Sequence, residues 1–349
     1  MKRINKTGYP LIRSFGFFPT GGLEAASSRL RVYSLCPTLI ECGIKPQCEI
    51  TLWNITKQDV IFIQKKVTGK ILRLARISSI LGKLVIYDID DLGPHMWYFL
   101  SKKQFYSVCK IANVITVSSN AQKEYLEDEY HLPNIHVLPC TVDYFPKSPF
   151  RNEDSHNEIL KLIWFGGAQN FHSFESHIQE ILAVPNSQLL VVTTGFHIGR
   201  LQEKYPEVIF KSWSVDTFID NLLSCDLSIL THEGEFHDRA KSNNKMIASI
   251  TWGVPALVSN TPDYSLTARS AGVPEAVFAS TSELVEKIEF FRSVESRKKY
   301  LENAQKVIWD LYSPNTIVNR LLEICSFVKV KPILKRFWDV ILSIYFASF

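Results

Sequence analysis

The stretch Cys225–Asn260 reads CDLSILTHEGEFHDRAKSNNKMIASITWGVPALVSN and has the pattern of one β-α-β unit. Its first and last runs are short, apolar and rich in branched side chains, as buried strands are. Between them come a polar loop, a helical stretch and a Gly-Val-Pro break that ends the helix. Strands joined through a helix run parallel in one sheet, so this stretch predicts an α/β fold.

The same alternation fills the chain in two halves. The strands predicted in the first half are LIRSFGFF, CEITLW, DVIFIQ, KLVIYDID, NVITVSS and NIHVLP. A polar, proline-containing linker, Asp143–Ile159, follows them, and then come LKLIWFGG, QLLVVTTG, VIFKSW, CDLSILTH, VPALVSN and AVFAS. The sequence therefore predicts two Rossmann-like domains, residues 1–147 and 157–312, and a helical tail over residues 313–349.

The composition narrows the class of protein. With 349 residues, 46% of them hydrophobic, the chain is long enough for two packed cores. A net charge of +4 without a block of like charge does not favour a nucleic-acid partner. Seven cysteines without a C-x-x-C pair favour free thiols in a reducing compartment over a disulfide framework or a zinc site. Neither a signal peptide nor a transmembrane segment is recognisable, which favours a cytoplasmic protein.

Glycines follow the first predicted strand. Gly21 and Gly22 precede the helical stretch SSRLR, which suits close approach of a ligand and a phosphate at the helix N-terminus. Arg29 is a further candidate for binding there. The spacing is not G-x-G-x-x-G, so a dinucleotide fingerprint is absent. The alternative is an ordinary strand-to-helix turn with Arg29 and Arg31 in solvent.

Acidic residues end the strand in KLVIYDIDDLGPH. Asp90, Asp91 and His95 are candidates for a catalytic base, because carboxylates at the end of a buried strand are expensive to bury without a role. A magnesium site would also suit carboxylates. The alternative is helix capping and loop solvation.

The second half opens in the same way as the first. In LIWFGGAQNF, Gly166 and Gly167 follow a strand, and Asn170 stands at the start of the next helical stretch. These residues are candidates for contact with a ligand at the carboxyl end of the sheet.

Lys241 and Lys245 stand near the start of a predicted helix, where cations are unfavourable unless an anion binds. The sequence predicts that Asp238 caps this helix and that Lys241, Asn244 and Lys245 share one face of it. With Ser242 and the first-turn amides they would form a donor-rich site for a diphosphate. The alternative is a solvated basic helix start beside two glutamates, Glu233 and Glu235.

Together these segments resemble the GT-B-fold glycosyltransferases, in particular the large retaining family four and its relatives. The resemblance extends from about Phe15 to Leu322. It rests on the glycines with SSRLR and on VIYDIDDL, VITVSSNAQKEYL, VLPCTVD, LIWFGGAQNF and AKSNNKMIASITWGVPALVSN. It implies two Rossmann-like domains facing each other across a cleft, with the acceptor side in the first domain and the nucleotide sugar mainly in the second. The final helix would cross back to the first domain.

The resemblance also implies roles. Lys241, Ser242, Asn244 and Lys245 would bind the phosphates of the donor, without a required metal or any other cofactor. Many relatives carry two glutamates eight positions apart around this helix, and here the matching positions are Ala240 and Ala248. This departure leaves both retention and inversion open.

The expected activity is transfer of a sugar from a nucleoside-diphosphate sugar to a hydroxyl of a saccharide or glycolipid, in the synthesis of a surface polysaccharide. Two alternatives stay open: a nucleotide-sugar epimerase on the same fold, and an inactive nucleotide-binding or scaffold protein. The tail KVKPILKRFWDVILSIYFASF either lies on the inner face of a membrane or packs back onto the first domain, and the two are compatible. No nucleic-acid partner is expected.

Overall fold

The computed structural model describes residues 12–48, 50–92, 101–143, 159–194, 198–328 and 331–348. The chain divides into two compact units, one formed by Met1–Thr141 with Pro314–Phe349 and the other by Val142–Ser313. Each contains a parallel six-stranded sheet, so the predicted α/β class with two Rossmann-like halves is confirmed. Most of the predicted linker lies outside the described residues.

The sheet of the first unit has the order β2-β1-β3-β4-β5-β6. Its central strands are wholly buried, as their continuous apolar sequences require of a sheet covered on both faces. The strands are β1 (Ser14–Phe18), β2 (Lys45–Gln47), β3 (Val60–Gln64), β4 (Leu84–Ile89), β5 (Val114–Val117) and β6 (Ile135–Val137).

The longer helices of the first unit begin at hydroxyl caps: the side chains of Thr68, Ser101 and Ser119 each accept a hydrogen bond from an amide of the first turn. The helices of this part are α1 (Ala26–Arg31), α2 (Cys36–Glu41), α3 (Leu52–Ile55), α4 (Gly69–Ile80), α5 (Lys102–Ile111) and α6 (Asn120–Tyr130). The predicted strand CEITLW is wrong, because Thr51 and Asn54 form a capping box that starts α3.

The second unit repeats the architecture, with the strand order β12-β11-β10-β7-β8-β9. Trp164, wholly buried in the long strand next to the sheet centre, stacks on Phe174. The strands are β7 (Leu160–Gly167), β8 (Ser187–Thr194), β9 (Ile209–Ser212), β10 (Leu227–Leu230), β11 (Ala256–Ser259) and β12 (Val277–Phe278).

Helices flank this second sheet. They are α7 (His172–Glu175), α8 (Ile178–Leu182), α9 (Ile198–Lys204), α10 (Val215–Leu223), α11 (Phe236–Arg239), α12 (Asn244–Thr251), α13 (Pro262–Ser270), α14 (Thr281–Phe290) and α15 (Val294–Tyr312). Because all the paired strands are parallel, their carboxyl ends lie at one edge of the sheet, where ligands bind in this class of fold.

Two further helices, α16 (Pro314–Phe327) and α17 (Ile333–Ser348), belong to the first unit. The apolar side of α16 is part of that unit's core, with Ile317, Val318 and Leu321 buried in the same cluster as Phe15 and Phe17. Helix α17 packs against α4 and α5. Within the described ranges, no helix has the length and hydropathy needed to cross a membrane.

Candidate functional site

A buried lysine lies at the carboxyl edge of the second sheet. Lys245, in the first turn of α12, places its Nζ 5.6 Å from the ring centroid of Trp164. This Nζ is buried and makes no hydrogen bond to any described residue. A Cβ at Gly166 would stand 3.1 Å from Nζ, closer than an ordinary contact, so a side chain at the end of β7 would force the ammonium to shift. Lys245 and Gly166, two predicted site residues, are therefore brought together.

The environment of Lys245 destabilises the charged form of its side chain. Burial, with a smaller contribution from the charge of Lys241, lowers the pKa of Lys245 to about 7. The first-turn amides of α12 add partial positive charge at the same place. An anion bound here would satisfy both groups at once, and a phosphate has the charge and the acceptor oxygens to do so.

Lys241 is held differently. Its Nζ donates to the side-chain oxygen of Asn170 at 2.7 Å and to Oδ1 of Asp238 at 2.6 Å. Burial acts to raise the pKa of Asp238, but the hydrogen bond and charge of Lys241 prevail and lower it. Lys241 thus links the turn after β7 to the chain that leads into α12.

The helix predicted to begin after Asp238 begins later than the sequence indicates, at Asn244. Asp238 lies in the four-residue helix α11 and makes no capping bond, since its carboxylate is engaged by Lys241. Lys241 and the buried Ser242 lie in the connection between α11 and α12, which begins only at Asn244. Of the predicted binding face, only Asn244 and Lys245 are on the helix.

Asp263 and Thr267, which the sequence did not single out, fix the start of α12. The carboxylate of Asp263 accepts the backbone N–H of Asn243 at 2.7 Å, and the Asn243 side chain donates to Thr267 at 2.7 Å. Burial raises the pKa of Asp263 to about 7, against the opposing hydrogen bond from Asn243. No local pattern relates these positions, because Asn243 precedes α12 whereas Asp263 and Thr267 belong to α13.

A buried imidazole stands beside the lysines. His232, just after β10, stacks on Tyr264 with ring centroids 5.3 Å apart. Burial, and then the charges of Lys245 and Lys241, lower the pKa of His232 well below its usual range. The ring is therefore neutral at pH 7, and Tyr264 is a wholly buried packing residue rather than a surface group.

The other glycine that the sequence predicts for this site, Gly167, is the last residue of β7 and pairs in register with Thr194. A Cβ there would lie 2.5 Å from the side chain of Gln169, so the turn into the short 3₁₀ segment Ala168–Asn170 is closely fitted. Asn170 lies in that segment, not at the start of a long helix.

In the first unit, a lysine and two aspartates meet after β3 and β4. Lys65 Nζ lies 3.5 Å from Oδ1 of Asp90 and hydrogen-bonds Oδ2 of Asp91. Burial raises the pKa of Asp90, although the charge of Lys65 opposes this. Lys65 was missed in the sequence. Its signal is the change from the apolar run VIFI to lysine at a strand end, and its φ of 49° is uncommon outside glycine.

The neighbouring Asp88 has a structural role. Arg31 donates from Nε to Asp88 Oδ2 at 2.7 Å and from Nη1 to the carbonyl of Leu138 at 2.8 Å, and both charged side chains are buried. Thr116 donates a further hydrogen bond to Asp88. The alternative in which Arg31 is solvated is therefore wrong.

The glycines after β1 do not begin a helix. The amide of Gly21 donates to Ser28 Oγ at 2.9 Å, and α1 begins only at Ala26, so Gly21 and the exposed Gly22 lie outside the helix N-terminus predicted for a phosphate. Arg29 donates from Nη1 to the carbonyl of Leu23 at 2.7 Å. His95 lies outside the described residues. Among those that are described, no group of three or more His, Cys, Asp or Glu side chains is arranged to hold a metal ion.

Comparison with solved structures identifies the fold. HepE from Anabaena, solved with UDP and glucose, is 13% identical, with 91% of this chain and 100% of that chain aligned and a TM-score of 0.63. The catalytic domain of starch synthase IV from Arabidopsis thaliana, bound to ADP and acarbose, is 8% identical, with 90% and 98% aligned and the same TM-score of 0.63. A glycosyltransferase from Rickettsia africae is 15% identical over 92% and 99%, with a TM-score of 0.61.

The chain therefore has the two-domain fold of the GT-B glycosyltransferases, as predicted. The sequence itself matches no protein-family model and no curated protein.

Proposed function

We propose that this protein is a glycosyltransferase that moves a sugar from a nucleoside-diphosphate sugar to a hydroxyl of a saccharide or glycolipid. The observation that carries the proposal is the buried Lys245 Nζ beside Gly166, at the carboxyl edge of a sheet in this fold, without a hydrogen-bond partner among the described residues. The structures of HepE and starch synthase IV, which share the fold, hold UDP and ADP. A diphosphate would supply the negative charge that the surroundings of the Lys245 ammonium do not.

The second unit is proposed to bind the nucleotide-sugar donor. Lys245 and the α12 amides contact the diphosphate, and Lys241, Ser242 and Asn244 complete its surroundings. Gly166 and Gly167 permit close approach of the ligand, and Asn170 orients Lys241. The fixed lysine cations would stabilise the charge of the diphosphate, as a metal ion does in other enzymes. We therefore propose transfer without a required metal or other cofactor.

The reaction breaks the bond between the anomeric carbon and the phosphate oxygen, and the nucleoside diphosphate leaves with the bonding electrons. The acceptor oxygen forms the new glycosidic bond and gives up its proton. Negative charge on the leaving group grows in the transition state, where lysines and helix amides stabilise it more strongly than in the bound donor. The second product is the free nucleoside diphosphate.

Asp90 is the proposed base for inversion, because burial raises its pKa toward the working range of a base. Lys65 and Asp91 position it, His95 is the second candidate, and Gly21, Gly22 and Arg29 are proposed to contact substrate from the same edge of the sheet. For retention, the departing phosphate takes the acceptor proton instead. Asp90→Asn separates the two: at least a ~100-fold loss of transfer, with nucleotide binding kept, supports the base. A loss below about tenfold rejects it.

The protein is further proposed to act at the inner face of a membrane, in the synthesis of a surface polysaccharide. The basic and aromatic tail is its contact with the bilayer, and a glycolipid acceptor would be found there. Nucleic acid is not a proposed partner.

The test is thermal unfolding with UDP, GDP, dTDP and CMP and their sugar conjugates. A ligand at about a hundred times its Kd stabilises the folded state by about 2.7 kcal/mol and raises Tm. One nucleoside diphosphate should raise the Tm of the wild type and of the exposed-lysine control Lys306→Ala, but not of Lys245→Ala. No shift with any nucleotide overturns the proposal.

Turnover separates the proposal from its alternatives. A donor that binds should be consumed only when a saccharide or glycolipid acceptor is present. Conversion of the donor without an acceptor would indicate an epimerase. Binding without turnover across a broad set of acceptors would indicate an inactive nucleotide-binding protein.

A further inference from the structure

The outward side of α17 is a continuous apolar surface. Leu334, Trp338, Ile341 and Tyr345 recur at the spacing of one helix face, and Leu334 and Trp338 are 75% and 63% exposed. Ile333, Phe337, Leu342 and Ile344 extend the surface on either side and are also exposed. The solvent-facing side of a helix is normally polar or charged. An exposed apolar surface of this extent marks a contact with a membrane or another protein.

The inward side of α17 is held to α4 and α5 by hydrogen bonds. Arg336 Nη1 donates to the carbonyl of Ile80 at 2.9 Å, and Arg76 Nη2 and Ser107 Oγ donate to the carbonyl of Ser343 at 2.8 and 3.0 Å. These bonds fix the rotation of α17 about its axis. The apolar side therefore cannot turn inward without breaking the contacts to α4 and α5.

Helix α17 runs antiparallel to α5. Lys331, just before α17, donates to the carbonyl of Lys110 at the last turn of α5, whereas Ser343 meets Ser107 one turn earlier. The N-terminal end of α5, with Lys102 and Lys103, therefore lies toward the C-terminal end of α17. Helices α4 and α5, on which α17 packs, are therefore the described helices nearest to the apolar surface, and their composition bears on what it can contact.

These neighbouring helices are basic. Helix α4 carries Lys70, Arg73 and Arg76, and α5 carries Lys102, Lys103 and Lys110, without an acidic residue in either sequence. The one acidic residue of α17, Asp339, accepts a hydrogen bond from Lys331 at 2.7 Å. Lys335 adds an exposed cation on α17 itself. The apolar surface of α17 therefore belongs to a helix that packs on two helices with exposed cations and no acidic residue.

We propose that this surface, formed by α17 with the basic residues of α4 and α5, binds the headgroup region of a bilayer rich in anionic phospholipid. The inference rests on the membrane contact proposed above and names its lipid class and its residues. Apolar side chains at the acyl boundary together with cations at the phosphate level give the two signals that stable peripheral binding needs. Trp338 and Tyr345 have the aromatic, amphipathic character favoured at that depth. A second copy of the chain is a poorer occupant, because pairing of like surfaces would bring the same cations together.

The experiment is co-sedimentation of the full chain with vesicles of phosphatidylcholine alone and with about one-third phosphatidylglycerol. The wild type should bind the anionic vesicles at least about tenfold more tightly than the neutral ones, and salt should weaken the binding. Leu334→Ser with Trp338→Ser should lower the binding at least about tenfold, because two anchors are removed. The matched control is Trp53→Ser, since Trp53 is 90% exposed elsewhere in the first unit.

A charge pair completes the test. Arg73→Glu with Lys335→Glu should lower binding to anionic vesicles at least about tenfold. The control Lys298→Glu with Lys299→Glu changes charge equally on exposed residues of the second unit and should have little effect. Equal binding to neutral and anionic vesicles, or no binding, overturns the inference. So does a concentration-dependent dimer that Leu334→Ser and Trp338→Ser abolish. The nucleotide-induced Tm shift, measured without vesicles, tests the transferase proposal independently.

Discussion

At the scale of single residues, Lys245 combines a stability cost with a proposed binding role. Folding lowers the pKa of the Lys245 ammonium from 10.5 to about 7. The charged form of this side chain is therefore less stable in the folded protein than in the unfolded chain. Between these two pH values the unfolded chain binds more protons, so this residue makes the free energy of unfolding rise with pH. A diphosphate reverses the situation by supplying the missing counter-charge.

Replacement of Lys245 by methionine should therefore stabilise the ligand-free protein while abolishing nucleotide binding. At pH 7 and below, we expect a gain on the order of 1–3 kcal/mol, which should shrink toward zero as the pH approaches 10.5. The measurement is Tm or denaturant midpoint as a function of pH, with and without the nucleotide that binds the wild type. Lys241→Met is the contrast, since it leaves Asp238 without its cation and should destabilise. A destabilised Lys245→Met protein would contradict the burial argument.

At the scale of elements, the end of β7 and the start of α12 together form the pocket around the Lys245 ammonium. A Cβ on Gly166 would stand 3.0 Å from the Trp164 ring and 3.1 Å from Lys245 Nζ. Gly166→Ala should displace the ammonium and weaken nucleotide binding by about tenfold or more, at a cost in stability of about 1–3 kcal/mol. Binding measured by calorimetry, beside Tm, checks both.

Gly199→Ala is the matched control for this substitution. Gly199 lies in α9 with nothing within 4 Å of its added Cβ, so alanine should leave nucleotide binding unchanged and raise stability by up to about 1 kcal/mol. Unchanged nucleotide affinity in Gly166→Ala would show that the ligand does not use this corner of the sheet.

The sequence predicts elements better than it predicts the contacts between them. Runs such as VIFIQ and LIWFGG identify buried parallel strands, because period and composition are local properties. CEITLW misleads because its last two residues, Leu52 and Trp53, begin a capped turn of helix in which Trp53 faces solvent. Asp263 and Lys65 act on residues far away along the chain, so no local pattern identifies their partners, although the lysine at the end of a strand marks Lys65 itself. Lys245 was predicted, but the space that Gly166 leaves for it depends on the packing of β7 against α12.

At the scale of the whole molecule, the two C-terminal helices differ in what they contribute to the first unit. Helix α16 buries Ile317, Val318, Leu321, Ile324 and Cys325, whereas the described residues of α17 bury chiefly Val340 and Ser343. Burial of an aliphatic side chain contributes about 1.5–3 kcal/mol, so the contribution of α16 is comparable to the whole stability of an ordinary domain.

A chain ending at Ser313 should therefore lose the cooperative unfolding of the first unit, whereas a chain ending at Lys331 should keep it. The fold of the second unit, whose core among the described residues ends before Ser313, should survive in both, so nucleotide binding provides the internal control. Hydrogen exchange resolved along the sequence makes the comparison, with β3 and β4 reporting on the first unit and β7 on the second. Protection of β3 in the chain ending at Ser313 would mean that the first core closes without α16. Loss of protection in the chain ending at Lys331 would assign α17 a structural role in addition to its outward apolar surface.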